Sequence, residues 1–142
     1  MMSTTIHKEL LESAVRLHGH LGPFLVLGLK MGIGAKKILG EKPERCEVET
    51  RNVKPFLCAL DGINAVMEGD AVAVRDGNGL TVRFSKANGK EVTFKVKGAI
   101  IEKYRRVPLD RCEEGAYEIM RCDDQDLFEY TISIQQLIGN GL

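Results

Sequence analysis

The sequence predicts an α+β fold: a mainly antiparallel sheet with helices packed on it, led by an N-terminal pair of helices. Three observations carry this. Apolar residues recur at helical spacing up to about Leu39. The middle of the chain alternates polar and apolar residues around strong turn sequences. Helix and strand signals come in groups (helix, helix, strand, helix, hairpins, helix, strand) rather than in the regular alternation of a parallel α/β sheet. The chain has 142 residues, a length suited to one hydrophobic core, so residues 1–142 read as a single domain.

The first helix spans Thr5 to His18, with Thr5 as N-cap. Leu10, Leu11, Ala14, Val15 and Leu17 make its apolar positions, while Lys8, Glu12 and Arg16 take the other face. Gly19 supplies a stop. Gly22-Pro23 restarts a helix, with proline at its first position, and this second helix runs to Leu39 before Gly40. Its opening, Phe24-Leu25-Val26-Leu27-Gly28-Leu29, is apolar all round and so expected to be buried on most sides. Gly28, Gly32 and Gly34 each cost roughly 1 kcal/mol of helix propensity relative to alanine. Gly28 and Gly32 share a face, which suits either a close helix contact within the chain or a contact between two copies of it.

Arg45 to Val53 alternates as a half-exposed strand. Pro55 opens a third helix, Phe56 to about Glu68, closed by Gly69, with Phe56, Leu60, Ile63 and Met67 as its core stripe. Ala71 to Val74 is a short strand, and Asp76-Gly77-Asn78-Gly79 a turn. Leu80–Phe84 and Glu91–Val96 are strands joined by the hairpin loop Lys86-Ala87-Asn88-Gly89. Ala99 to Arg106 fits strand or helix equally. Pro108 to Arg121 reads as helical, Asp123 to Asp126 as a polar break, Leu127 to Ile134 as a last strand and Gln135 to Leu142 as a frayed tail.

Formal net charge is zero, against a protein built to hold nucleic acid. The charge is unevenly placed: seven Lys/Arg and two Glu from Lys86 to Arg106, then eight Asp/Glu and two Arg from Asp110 to Glu129. Two solvated faces account for this, as would a basic groove for an anion or a complementary dimer contact. No apolar run is long enough to span a membrane, and the first residues lack the apolar core of a signal peptide, so a cytoplasmic protein is expected. Cys46, Cys58, Cys112 and Cys122 show no CxxC spacing, which rules out a zinc knuckle of neighbouring cysteines. In a reducing compartment they are free thiols.

The candidate chemistry lies at His18-Gly19-His20, two of the three histidines in the chain. Imidazole is the commonest metal ligand and the group that titrates nearest neutral pH. Residues two apart on one helix point to opposite sides, but the break at Gly19 and Gly22-Pro23 frees both rings to converge. Cys58, in the first turn of the third helix, sits where the helix dipole favours a thiolate. His18, His20 and Cys58 are a donor set suited to Zn²⁺, or another divalent transition metal, with a position left open. Asp61, three residues beyond Cys58, can orient an imidazole or act as a general base. A metal-free alternative pairs Cys58 as nucleophile with His18 or His20 as base. Cys46, Cys112 and Cys122 have no histidine near them in sequence and read as structural; His7 reads as solvated.

His18-Gly19-His20-Leu21-Gly22-Pro23 followed by Cys58-Ala59-Leu60-Asp61-Gly62-Ile63 resembles the E-subunit family of formylmethanofuran dehydrogenase and its stand-alone relatives, over roughly Leu10 to Phe94. The resemblance implies an α+β core, a homodimer and a metal site, often zinc, on His18, His20 and Cys58, with Asp61 as the acidic partner. It also implies a link to a molybdenum or tungsten formylmethanofuran dehydrogenase and to one-carbon metabolism. The chain departs from the family at Gly22, where many members carry cysteine, and at Met67-Glu68-Gly69-Asp70-Ala71-Val72, in place of a Thr-Gly-Cys-Thr-like stretch. It ends without the cysteine-rich zinc finger of some relatives. The competing reading is a non-catalytic dimeric interaction module, assembled through the helix glycines and the split charge.

Overall fold

The computed structural model describes residues 6–68 and 72–134. Thr5, Gly69, Ala71 and the tail from Gln135, to which the sequence assigns a cap, a stop, a strand start and a frayed end, lie outside the described residues. Within them, helices α1 (Lys8–His18), α2 (Pro23–Leu39), α3 (Cys58–Met67), α4 (Gly98–Tyr104), α5 (Cys112–Arg121) and α6 (Asp124–Leu127) pack on a sheet of strands β1 (Arg45–Thr50), β2 (Val72–Asp76), β3 (Leu80–Ser85), β4 (Lys90–Val96) and β5 (Phe128–Ile134). This is the α+β architecture expected. None of these helices is long and apolar enough to cross a membrane.

Helix α2 is the hub. Phe24 through Gly32 are all buried, as an all-round apolar segment requires. Its Phe24, Leu27 and Met31 join the main core beneath the sheet, while Leu25 and Leu29 form a second cluster with Ala14 of α1 and Val66 of α3. The glycines have an intrachain explanation. A Cβ at Gly28 would collide with the carbonyl oxygen of Ala59, and one at Gly62 with that of Leu25; one at Gly32 would come within 2.8 Å of the Val66 side chain. Small residues on both helices therefore let α2 and α3 approach almost backbone to backbone. The α3 helix occupies the Gly28/Gly32 face, which removes that face as a contact between copies.

The sheet order is β2-β1-β3-β4-β5. Strand β1 pairs parallel with β2 and antiparallel with β3, so α3 is the crossover between two parallel strands. The Asp76–Gly79 turn forms but does not close a hairpin, because β2 and β3 lie on opposite sides of β1. Its backbone is fixed to the end of β1 instead: Gly77 N–H donates to the Thr50 carbonyl at 3.0 Å, and the Thr50 hydroxyl donates to the Gly79 carbonyl at 2.8 Å. The β3–β4 hairpin is as expected.

Period-two burial sets the two faces. Cys46, Val48, Val82, Phe84, Val92 and Phe94 point to the helices. Glu47 and Glu49 on the other face meet Arg83 and Arg75. The first strand stops at Thr50, earlier than its alternation suggested, and the ambiguous stretch after Gly98 is helical. The polar break at Asp123 is followed by a single helical turn whose Asp124 is fully buried, 3.8 Å from the equally buried Lys30 ammonium.

Candidate metal centre

Three helix ends meet at one place. His18 is the last residue of α1, Cys58 the first of α3 and Cys112 the first of α5. Gly19 ends α1 in the left-handed conformation, φ 108°, with its N–H donating to the Val15 carbonyl at 2.7 Å. That reversal carries His20 alongside His18 instead of across the helix from it, and the ring centroids stand 4.6 Å apart. Gly22, extended at φ −148°, then passes the chain to Pro23 at the start of α2.

His18, His20, Cys58 and Cys112 line one small cavity of about 40 Å³, with Phe24 and Tyr104 in its wall. Asp61 stands behind this wall. Its Oδ2 accepts a hydrogen bond from Nδ1 of His18 at 2.6 Å. The His18 side chain is 9% exposed, and its Nε2 is buried without a hydrogen-bond partner. A buried polar nitrogen in that condition is costly unless something binds it. The donors surround the cavity without closing on a point: among the described residues, no group of three His, Cys, Asp or Glu side chains is gathered tightly enough to hold an ion.

Electrostatics differ from the expectation at Cys58. Burial pushes its thiol up from the ordinary value; Lys54 opposes this, while Asp61 and Cys112 add to it. The start of a helix does not prevail over burial and the Asp61 carboxylate, so the thiol is not the low-pKa thiolate expected from the sequence. Cys112 is likewise raised, by burial and by Asp110. His20 is lowered by desolvation, then by His18 and Lys54, which favours a neutral ring with a free lone pair. All four cysteines are free. Cys46 is buried in the core, and Cys122 donates to the Glu118 carbonyl at 3.3 Å, both consistent with structural roles.

Cys112, which the sequence marks only as structural, also lines this cavity. Its sequence neighbours are charged, Arg111 before it and Glu113 and Glu114 after it, and the other donors around the cavity it faces come from residues far earlier in the chain. No local signal marks it; the chain must fold before it is seen. On the solvent side, an open groove between α1 and residues 109–117 also has His20 and Cys112 in its wall, with Leu11, Val15, Leu109 and Tyr117.

The profile of the FmdE family, described as molybdenum formylmethanofuran dehydrogenase operon, matches residues 17–129. The chain belongs to the FmdE family. The matched span takes in His18, His20, Cys58, Asp61 and Cys112, and so both the cavity's donors and the carboxylate behind them. No curated protein matches this FmdE chain.

Proposed function

We propose that this FmdE protein binds a divalent transition metal, zinc by preference, through His18, His20 and Cys58, with Asp61 holding His18 in place. The observation that carries this is the buried, partnerless Nε2 of His18 on a ring whose other nitrogen is held by a carboxylate. That is the arrangement by which a carboxylate fixes the tautomer and aim of a metal-binding imidazole. Two imidazoles and a thiol are donors of the right softness for Zn²⁺. The cavity, at about 40 Å³, exceeds the 10–15 Å³ or so that one water needs.

Binding asks two things of these residues. His20 and Cys58 must turn inward to reach bonding distances of about 2.0–2.3 Å. Cys58 must also release its proton, which its raised pKa makes unfavourable until a cation is at hand. Asp61 acts through His18 as a positioning residue. An ion bound here would supply Lewis acidity to a carbonyl or water in its coordination sphere.

The family match supports, as the wider role we propose, an accessory component of a molybdenum or tungsten formylmethanofuran dehydrogenase, or a small metal-dependent enzyme of one-carbon metabolism. A homodimer remains part of this proposal, formed through a surface other than the Gly28/Gly32 face. Metal analysis of protein purified without chelator tests the central claim. About one ion per chain is expected, lost in His20→Ala and in Cys58→Ala; full retention in both variants overturns it.

A further inference from the structure

His18, His20 and Cys58 all come from the N-terminal half of the chain, yet the cavity has a wall from α5. We propose that the Cys112 thiol is a fourth ligand, making a His₂Cys₂ site that ties α5 to the ends of α1 and α3. This rests on the metal-binding reading, and it changes what such a site can do.

Several observations place Cys112 in the site. Its side chain lines the same cavity as His18, His20 and Cys58. Its S–H donates to the Pro108 carbonyl at 3.5 Å, a weak bond readily exchanged for a metal. Independently, the orphaned Nε2 of His18 marks the cavity as a place where a buried group lacks its partner. Gly22 faces Cys112 across this space: a Cβ there would stand 3.7 Å from the Cys112 Cβ and 3.6 Å from Nε2 of His20. A bare backbone opposite leaves the volume beside His20 to the Cys112 side chain.

Four protein donors fill the tetrahedral shell that zinc prefers in structural sites, whereas catalytic sites keep three protein donors and an open position. With Cys112 bound, the ion clasps three helix ends. It then stabilises the fold and resists small exogenous ligands.

Cobalt substitution separates this inference from the reading beneath it. In the Co²⁺-loaded full-length protein, sulfur-to-metal charge-transfer absorption scales with the number of thiolates. Wild type is expected to show the intensity of two thiolates, and Cys112→Ser about half of it. The double variant Gly22→Cys/Cys112→Ser is expected to recover it, because a Cβ at Gly22 meets only ordinary van der Waals contacts, the nearest being His20 and Cys112 themselves. Equal intensity in wild type and Cys112→Ser overturns the role of Cys112 and leaves metal binding standing. Failure of the wild type to take up Co²⁺ removes both. A variant-free measurement covers misfolding: Zn²⁺ should protect Cys112 from iodoacetamide in the wild-type protein, as mapped by mass spectrometry, and unchanged labelling overturns the proposal.

Discussion

His18 Nδ1 and Asp61 Oδ2 lie 2.6 Å apart across 43 positions of sequence. One closes the first helix and the other sits one turn into the third, so the bond locks the relative placement of α1 and α3 as well as the tilt of the ring. Asp61→Asn keeps the shape but weakens the hold on the Nδ1–H tautomer. Metal affinity of the variant, read by chelator competition, is expected to fall about 10–100-fold, with the circular dichroism spectrum unchanged. Unaltered affinity would place the ion elsewhere.

The contact between α2 and α3 makes a sharp stability prediction. Gly28→Ala puts a methyl group into the Ala59 carbonyl, where neither backbone can yield without moving a helix. A loss of about 3 kcal/mol or more is expected, at the upper end for overpacking. Gly98→Ala, where an added Cβ meets nothing within 4 Å, should stay within about 0.5 kcal/mol of wild type. Chemical denaturation of both variants checks the contrast, and sedimentation should show no change in oligomeric state in either.

Lys30 and Asp124 form a buried ion pair in the core. The Lys30 ammonium donates to the Cys122 carbonyl at 2.6 Å and lies 3.8 Å from Asp124. Its pKa is lowered by desolvation, with Asp124 the strongest opposing influence. Replacing Asp124 by asparagine leaves a buried cation without its counter-charge, which costs about 3–5 kcal/mol. The double variant Lys30→Met/Asp124→Leu should recover much of that loss. A double-mutant cycle in urea measures it, and additive losses would show the two groups to be independent.

Cys46 gives the protein an alkaline limit. Burial pushes its thiol from 9.0 up to about 12. The unfolded chain therefore gives up this proton first as pH rises, and unfolding gains free energy through the interval between the two values. Stability from this site is complete below pH 9 and is lost at about 1.4 kcal/mol per pH unit above it. Cys46→Ala lowers stability at pH 8 by leaving a small cavity. Its deficit relative to wild type is expected to shrink by about 1 kcal/mol between pH 9 and pH 10, approaching the full slope only above that. A constant deficit would mean that the thiol is less buried than its position indicates.

The helical part of this fold was legible because its punctuation is local. Gly22-Pro23 and Gly40 bound α2 as read, and Gly19 ends α1. The sheet was less legible. Nothing in Asp76–Gly79 tells that β2 and β3 will straddle β1, since strand partners are chosen by long-range burial and not by the turn. The site divided in the same way. His18, His20, Cys58 and Asp61 could be singled out from short motifs. The electrostatic state of Cys58 could not, because it depends on how deeply α3 is set. Nor could Cys112, whose place is decided by the packing of α5 on α2.

The groove beside α1 shares two residues, His20 and Cys112, with the small cavity, while His18 and Cys58 belong to the cavity alone. The site therefore has an outer and an inner row. A reagent diffusing in from the groove encounters one imidazole and one thiol before it can touch the other two. Alkylation, oxidation and chelation should each proceed in that sequence, with Cys112 modified ahead of Cys58. Under the proposed metal-binding role, the outer row would govern the rate of loading and release, and the Asp61-anchored ring behind it the final affinity.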